Sequence, residues 1–325
     1  MKIKNSPYNL RETLGYFKRN TFGPVSKNRG LVRVAPKSFE LNPGVDKKVK
    51  VGFIGDIMDM AGYDLSVDAG VKEFFQDCDY LVGNFEATLT TAKGAYMAQR
   101  HKPQILDALA DLFDPQKTCL SLANNHSGDF GYDVWVESKN QVEERGFQVF
   151  GTAETPFVDI GEDLRLTGCT WWTNQPCNYI TMSGRVTDHV ESGRFNILYP
   201  HWGYELELYP RPVTINAGAR WFATFDAIIG HHSHIPQPIA VEKTDGQNSI
   251  ERLVAYGLGD FCIWEKLEHY LYGQLLKIEI GQAADGAIQV GKVDWHFSTC
   301  RQKSETEWVT EIVDEFPYLK QKPSA

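Results

Sequence analysis

From Lys48 onward the chain settles into a repeated pattern: a short apolar, β-branched run that stops abruptly in polar residues. KVKVGFIGD, DYLVGNFE, TCLSLANNH, RFNILYPHWG and FDAIIGHHSH all have this form. Runs of four to eight apolar residues closed by Gly, Asn, Asp or His read as buried strands that carry polar groups at their carboxyl ends. Segments with helical spacing lie between them, at Val71 to Asp77, Pro103 to Phe113 and Tyr132 to Arg145. Strand and helix in alternation predict an α/β fold with a largely parallel sheet. In such sheets ligands gather in the crevice outside the carboxyl ends of the strands, where these polar clusters fall. RLVAYGLGDF, YGQLLKIEI and AIQVGKVDWHF, in the last third, alternate as antiparallel strands do. Residues 1–48, rich in Asn, Pro and Lys, are expected to form an extension packed on the main domain at 49–300 and to carry little chemistry. Residues 301–325 are expected to be a polar, helical tail.

The five strand ends supply the candidate chemistry. Asp56 follows Gly55 at the first, with Asp59 three residues on; Asn84 and Glu86 stand at the second. Asn124, Asn125, His126 and Asp129 crowd the third. His201 stands at the fourth with Glu205 as an outer partner, and His231, His232 and His234 crowd the fifth. An Asp or Asn after a strand also serves as a turn or helix cap, so each alone admits a structural role. Taken together they form a mixed oxygen and nitrogen donor set, suited to Mn²⁺, Fe²⁺ or Zn²⁺ more than to Ca²⁺ or Mg²⁺. Extended geometry at the fifth end would turn His232 and His234 to one side and His231 to the other, toward substrate or an outer shell.

Composition narrows the partners. The 325 residues include 42% hydrophobic ones, ample for a packed core. Lys and Arg total 33 against 42 Asp and Glu, a net charge of -9 that disfavours nucleic acid. The six cysteines form no close pair and read as reduced thiols. No signal peptide and no apolar run long enough to span a membrane is visible, so a cytoplasmic location is expected. The expected partner is a small-molecule or polymer substrate, and the sequence leaves the oligomeric state open.

GDIM at 55–58, GNFE at 83–86, ANNHSGDFG at 123–131, HWGYE at 201–205, GHHSH at 230–234 and YGLGDF at 256–261 occur in the order found in the bacterial capsule-biosynthesis CapA family. The chain resembles that family, within the calcineurin-like metallophosphatase superfamily, from about Val49 to Phe261. The resemblance implies a four-layer α/β sandwich, two central mixed β-sheets flanked by helices, with one or two divalent transition-metal ions (Mn, Fe or Zn). It implies Asp56, Asn84, Glu86, Asn125, His201, His232 and His234 as metal ligands and His126 as the catalytic acid. Met58 stands where the wider superfamily has a histidine, Ser233 where the family often has Pro, and Asp260 where it often has Asn, which adds a charge beside the site.

A metal-dependent phosphoesterase follows, with His126 protonating the leaving group and Asp129 either orienting that imidazole or capping the next helix. Arg100 is a candidate for binding substrate phosphate or carboxylate, with a solvated surface role as the alternative. Two other readings remain: a γ-glutamyl amide hydrolase or transferase in poly-γ-glutamate metabolism, and a noncatalytic polymer-binding accessory protein.

Overall fold

The computed structural model describes residues 6–95, 97–243 and 251–320. Two mixed sheets stack face to face. The first runs in the order Asp64–Val67, Glu307–Val313, Ile288–Gln302, Tyr272–Gln282, Asp46–Ile57, Tyr80–Phe85, Thr118–Ser121, Gln148–Phe150. The last four of these strands pair in parallel, whereas Tyr272–Gln282 joins Asp46–Ile57 antiparallel. The second sheet runs Ile239–Lys243, Glu251–Ala255, Ala227–Ile229, Phe195–His201, Leu164–Thr170, Phe157–Ile160.

Period-two alternation explains the layering. Val51 and Phe53 point from the first sheet toward Ile197, Tyr199, Ala227 and Ile229 of the second, forming the core between them. Ile54, the residue after Phe53, points the other way, to Val71 and Phe75 of the helix Ala69–Phe75 and Leu106 and Leu109 of the helix Gln104–Leu112. Leu198 and Ile228 likewise face outward onto Ala217 of the helix Pro212–Trp221. The central strands Asp46–Ile57, from Lys50 onward, and Phe195–His201 are therefore covered on both faces, which is why each reads as a continuous apolar run. The result is the metallophosphatase-like α/β sandwich that the motifs imply, with two mixed sheets in place of the one largely parallel sheet that alternation alone predicts.

The chain beyond Cys300 corrects the expected helical tail. Ile288–Gln302 continues as strand, and Glu307–Val313 pairs antiparallel with it and parallel with Asp64–Val67. Trp308, Val309 and Thr310 are buried there. The polar stretch between the two strands hides a hairpin, and cross-strand pairing overrides the helix reading. The N-terminal segment also holds more structure than its composition suggests. Asn9 caps the helix Leu10–Phe22 by accepting from the Glu12 N–H, an N-terminal signature of Asn followed three residues later by Glu.

His101 ties this frame to the strand end at Asp56. Its ring is buried and its Nε2 lies 3.1 Å from the Ile57 carbonyl, so it serves as a neutral donor. Burial pushes its pKa down to about 4 from the ordinary 6.5, although the carbonyl works in the opposite direction. A group that the unfolded chain protonates more readily costs stability as pH falls through its unfolded pKa, and the cost is complete below the folded one. His101 should therefore cost up to about 3 kcal/mol between pH 6.5 and 4. Urea melts of the wild type and His101→Gln at pH 7 and pH 4.5 test this: the variant should lose less stability on acidification, and equal losses would contradict it.

Candidate metal centre

Strand register assembles the first half of the centre. Asp56 lies directly opposite Asn84 on one side and Asp260 on the other. The Asp260 strand can come so close because position 55 is glycine: a Cβ there would sit 1.9 Å from the Gly259 carbonyl oxygen, which accepts from the Asp56 N–H. In the second sheet a bridge sets His201 beside His231. Gly230 permits that crossing, since a Cβ would lie 2.1 Å from Trp202 Nε1. The carboxyl ends of the two sheets thus face each other across a buried polar cluster.

The GHHSH loop does not continue as a strand. His232 and His234 have φ of 89° and 52°, the left-handed region that non-glycine residues seldom occupy. Strain of this kind costs on the order of 1–3 kcal/mol per residue and persists where surrounding contacts enforce it. Here the Asp56 carboxylate accepts from the His232 N–H at 2.9 Å. With alternation broken, His231 is not the outlying histidine. Its Nδ1 lies 2.7 Å from His201 Nδ1 and 3.2 Å from Asp56 Oδ1, which corrects the expectation that it faces substrate.

Three groups of side chains place one donor atom each within 4.8 Å of one another: Asp56 with His201 and His231, Glu86 with His232 and His234, and Asp56 with His234 and Asp260. Asp56 and His234 each belong to two of them. Asp260, expected as an outer partner, contributes directly, with Oδ1 2.8 Å from His234 Nδ1. Asn125 Oδ1 hydrogen-bonds His201 Nε2, and its amide nitrogen donates to Asn174 at 3.2 Å. Asn84 departs from the expected ligand role. Its Nδ2, which has no lone pair to offer, donates to Asp56 at 2.7 Å and to Glu86 at 3.0 Å, while its oxygen accepts from Asn124 at 3.3 Å. Asn84 braces the two carboxylates in this arrangement.

The residues present fit a cation. Glu86 Oε1, His231 Nε2, His232 Nδ1 and Asp260 Oδ2 are buried without a hydrogen-bond partner. Buried polar atoms are rarely left so, and carboxylate oxygen with imidazole nitrogen is a transition-metal donor set. Electrostatics agree. Burial pushes the Glu86 carboxyl well above its ordinary range, and the charges of Asp56 and Asp260 push it further. Burial opposes charge on His234, yet Asp260 and Asp56 hold a proton there and raise it to about 10. Burial would also raise Asp56, but His231 and His234 keep it below the usual carboxylate range. Without a cation the cluster must retain protons, and a metal ion would displace them.

His126 stands at the edge of the cluster. Its Nδ1 lies 2.6 Å from Asp129 Oδ2, which also accepts from the Gln99 N–H at 3.0 Å. The following helix, Tyr132–Glu144, begins after Gly131 and has no side-chain cap, so Asp129 orients the imidazole and does not cap the helix. Asp59 instead takes the local role, accepting from the Ala61 N–H at 2.6 Å. Arg100 is not brought in: it is exposed, donates to the Ala92 carbonyl, and lines a separate cavity with Asp59 and Lys102.

A cavity of about 490 Å³ opens onto the centre, lined in part by Met58, Asn125, His126, Asn174, Glu205 and His234. Its described lining includes Glu205 and Glu265 but no Lys or Arg. Tyr8, from the segment expected to carry little chemistry, forms part of the wall and sets its hydroxyl 2.8 Å from His232 Nε2. Sequence reasoning missed Tyr8 and Asn174. The Asn9 cap signature could have revealed the helix, but no local pattern shows where an isolated Tyr or Asn lands.

The chain matches the family described as Bacterial capsule synthesis protein PGA_cap over residues 46–157 and 175–264. It is 22% identical over 288 residues to the PGA biosynthesis protein CapA of Bacillus subtilis (strain 168), covering 78% of this chain and 73% of that protein. It is 23% identical over 261 residues to the Capsule biosynthesis protein CapA of Bacillus anthracis, covering 66% of this chain and 60% of that protein. Among the described residues no helix is long and apolar enough to cross a membrane.

A metal that binds only the folded chain raises its melting temperature, by about 2.7 kcal/mol of stability when free metal is a hundredfold above Kd. Chelator-treated protein should therefore melt higher on titration with Mn²⁺, Co²⁺ or Zn²⁺. Asp56→Ala should abolish most of that shift, because Asp56 serves two of the three donor groups. A variant that shifts as far as the wild type would remove Asp56 from the centre.

Proposed function

Because the chain belongs to the bacterial capsule synthesis protein family PGA_cap, we propose that it is a metal-dependent hydrolase of phosphate esters, with His126 as its acid–base group. The supporting observation is the His126–Asp129 pair set on the same cavity as His234 and Asn125. Asp56, Glu86, His201, His231, His232, His234 and Asp260 would hold the metal, with Asn125 beside His201. When bound, divalent transition metals supply Lewis acidity and acidify water at neutral pH.

The chain's own residues supply the proton chemistry. Asp129 takes the Nδ1 proton of His126 in a hydrogen bond, which fixes the tautomer and leaves Nε2 to hold or pass a proton. The proton on Nε2 can then be given to the departing alkoxide, leaving a neutral imidazole, the step that general-acid catalysis accelerates. Asn84 and Asn174 keep the carboxylates and Asn125 in place by hydrogen bonds to their oxygens and amide.

The Bacillus relatives are named for PGA and capsule biosynthesis, which supports reading this chain's reaction as a step in the making of a capsular polymer. That name also favours a second reading, hydrolysis or transfer at a γ-glutamyl amide. A glutamate polymer brings several carboxylates, and the described cavity wall offers acids and no Lys or Arg to meet them. A single phosphate beside the metal needs no such wall, so the phosphate ester is the preferred substrate class.

His126→Ala should lower turnover of an alkyl phosphate by roughly 10²- to 10⁴-fold while leaving metal content nearly intact. A nitrophenyl phosphate, whose leaving group needs little protonation, should be far less affected. Asn125→Ala should lower metal content as well as activity. If both esters lose activity equally in His126→Ala and metal is lost with it, His126 is a scaffold residue and the mechanism is wrong. Cleavage of γ-glutamyl peptides with no phosphate ester turned over would select the second reading.

A further inference from the structure

Residues 6–22 lie outside the stretch that matches the family, yet they reach its centre. Tyr8 is 2% exposed, stacks on Tyr204 and meets Trp172 edge-on. Two contacts behind it anchor the segment: Arg19 Nε donates to the Glu205 carbonyl at 2.7 Å, and Glu12 pairs with Arg211 at 2.8 Å. The ring is therefore placed by packing on one side and by charge-assisted hydrogen bonds on the other.

A phenol has one proton to donate and two lone pairs with which to accept. The Glu205 N–H donates to the phenol oxygen at 3.3 Å and fills one accepting position. The hydroxyl also meets His232 Nε2 at 2.8 Å, and the Glu205 carboxylate lies 4.0 Å from that same nitrogen. With an acid beside Nε2 and no partner at Nδ1, the geometry favours the imidazole proton on Nε2, where it is donated to the phenol oxygen. The lone pair of neutral His232 is left on Nδ1, which is buried without a partner in the residue that groups with Glu86 and His234.

We propose that Tyr8 is a positioning residue of the metal centre: its hydroxyl holds His232 as the Nε2–H tautomer and thereby commits Nδ1 to the cation. The inference rests on the metal-centre reading and extends it to a segment the family match does not include. An outer partner that fixes the tautomer of a ligating histidine typically changes metal affinity by about 10- to 100-fold when removed. The N-terminal segment is thus a working part of the centre and not a covering for it.

Tyr8→Phe retains the ring and its stacking and removes only the hydroxyl. Chelator-treated wild type, Tyr8→Phe and, as a control in the helix that follows Tyr8, Leu14→Ala, whose side chain is 60% exposed, are titrated with Co²⁺ and followed by visible absorption. Tyr8→Phe should bind Co²⁺ roughly 10- to 100-fold more weakly and with an altered ligand-field spectrum, while Leu14→Ala matches the wild type. A folded Tyr8→Phe with unchanged affinity and spectrum overturns the proposal. Should Tyr8→Phe fail to fold, ¹⁵N spectra of histidine-labelled, metal-free wild type decide: Nε2–H on His232 supports the assignment and Nδ1–H overturns it. A wild type that takes up no Co²⁺ sinks the metal-centre reading itself, and the same spectra still settle the tautomer.

Discussion

Seven potential ligands, Asp56, Glu86, His201, His231, His232, His234 and Asp260, are all but sealed from solvent, and only His234 reaches the adjoining cavity, whose described wall has no lysine or arginine. Removing a carboxylate from water costs several kcal/mol unless an opposite charge and hydrogen bonds replace the lost solvation. The protein meets part of that cost internally. Asn84 donates to two of the acids, the His232 N–H donates to a third position on the same pair, and His234 pairs with Asp260. Four donor atoms remain without partners, and a cation is the group whose chemistry answers all of them.

Other features of the fold follow from crowding these groups together. Gly55 and Gly230 occupy positions where any Cβ would collide with a neighbouring backbone or indole, and both sit directly before a donor residue. The left-handed backbone at His232 and His234 bends the loop so that all three histidines of GHHSH face inward where a strand would have turned one away. The same bend brings His232 Nε2 against Tyr8. Strain in the loop, close approach of the Gly259 turn and docking of the N-terminal helix are thus separate solutions to one demand, the enclosure of a dense donor set. His126, held by Asp129 at the edge of the cavity, stands outside that donor set, in keeping with the proton-transfer role proposed for it.

The α/β frame was legible because its inner strands are buried on both faces and end in residues with no business in a core. Their carboxyl ends named the five clusters, and the ordered motifs implied the second sheet that local alternation did not. Inference failed where geometry was not local. His231 was misread because period-two reasoning assumes an extended backbone, and no pattern in GHHSH announces positive φ. Asn84 was named for its place in a motif, but whether its oxygen or nitrogen faces the acids is set by Asn124, forty residues away. Arg100 had the right chemistry and the wrong address. Glu307–Val313 looked polar because its partners hold half of it at the surface, and Tyr8 could be found only by seeing the first helix fold back over the cavity.

The central claim is that this buried cluster is a metal centre. Anomalous-difference maps, collected on either side of the Mn, Fe and Zn edges from crystals of protein prepared without chelator, test it most directly. The account predicts one or two peaks at coordination distance from Asp56, with His201 or His231 and with His234 or Asp260 as further neighbours, and His232 turned to the ion through Nδ1. A map with no peak from metal-replete protein, in which Glu86, His232 and Asp260 satisfy their free atoms with ordered water, would contradict it.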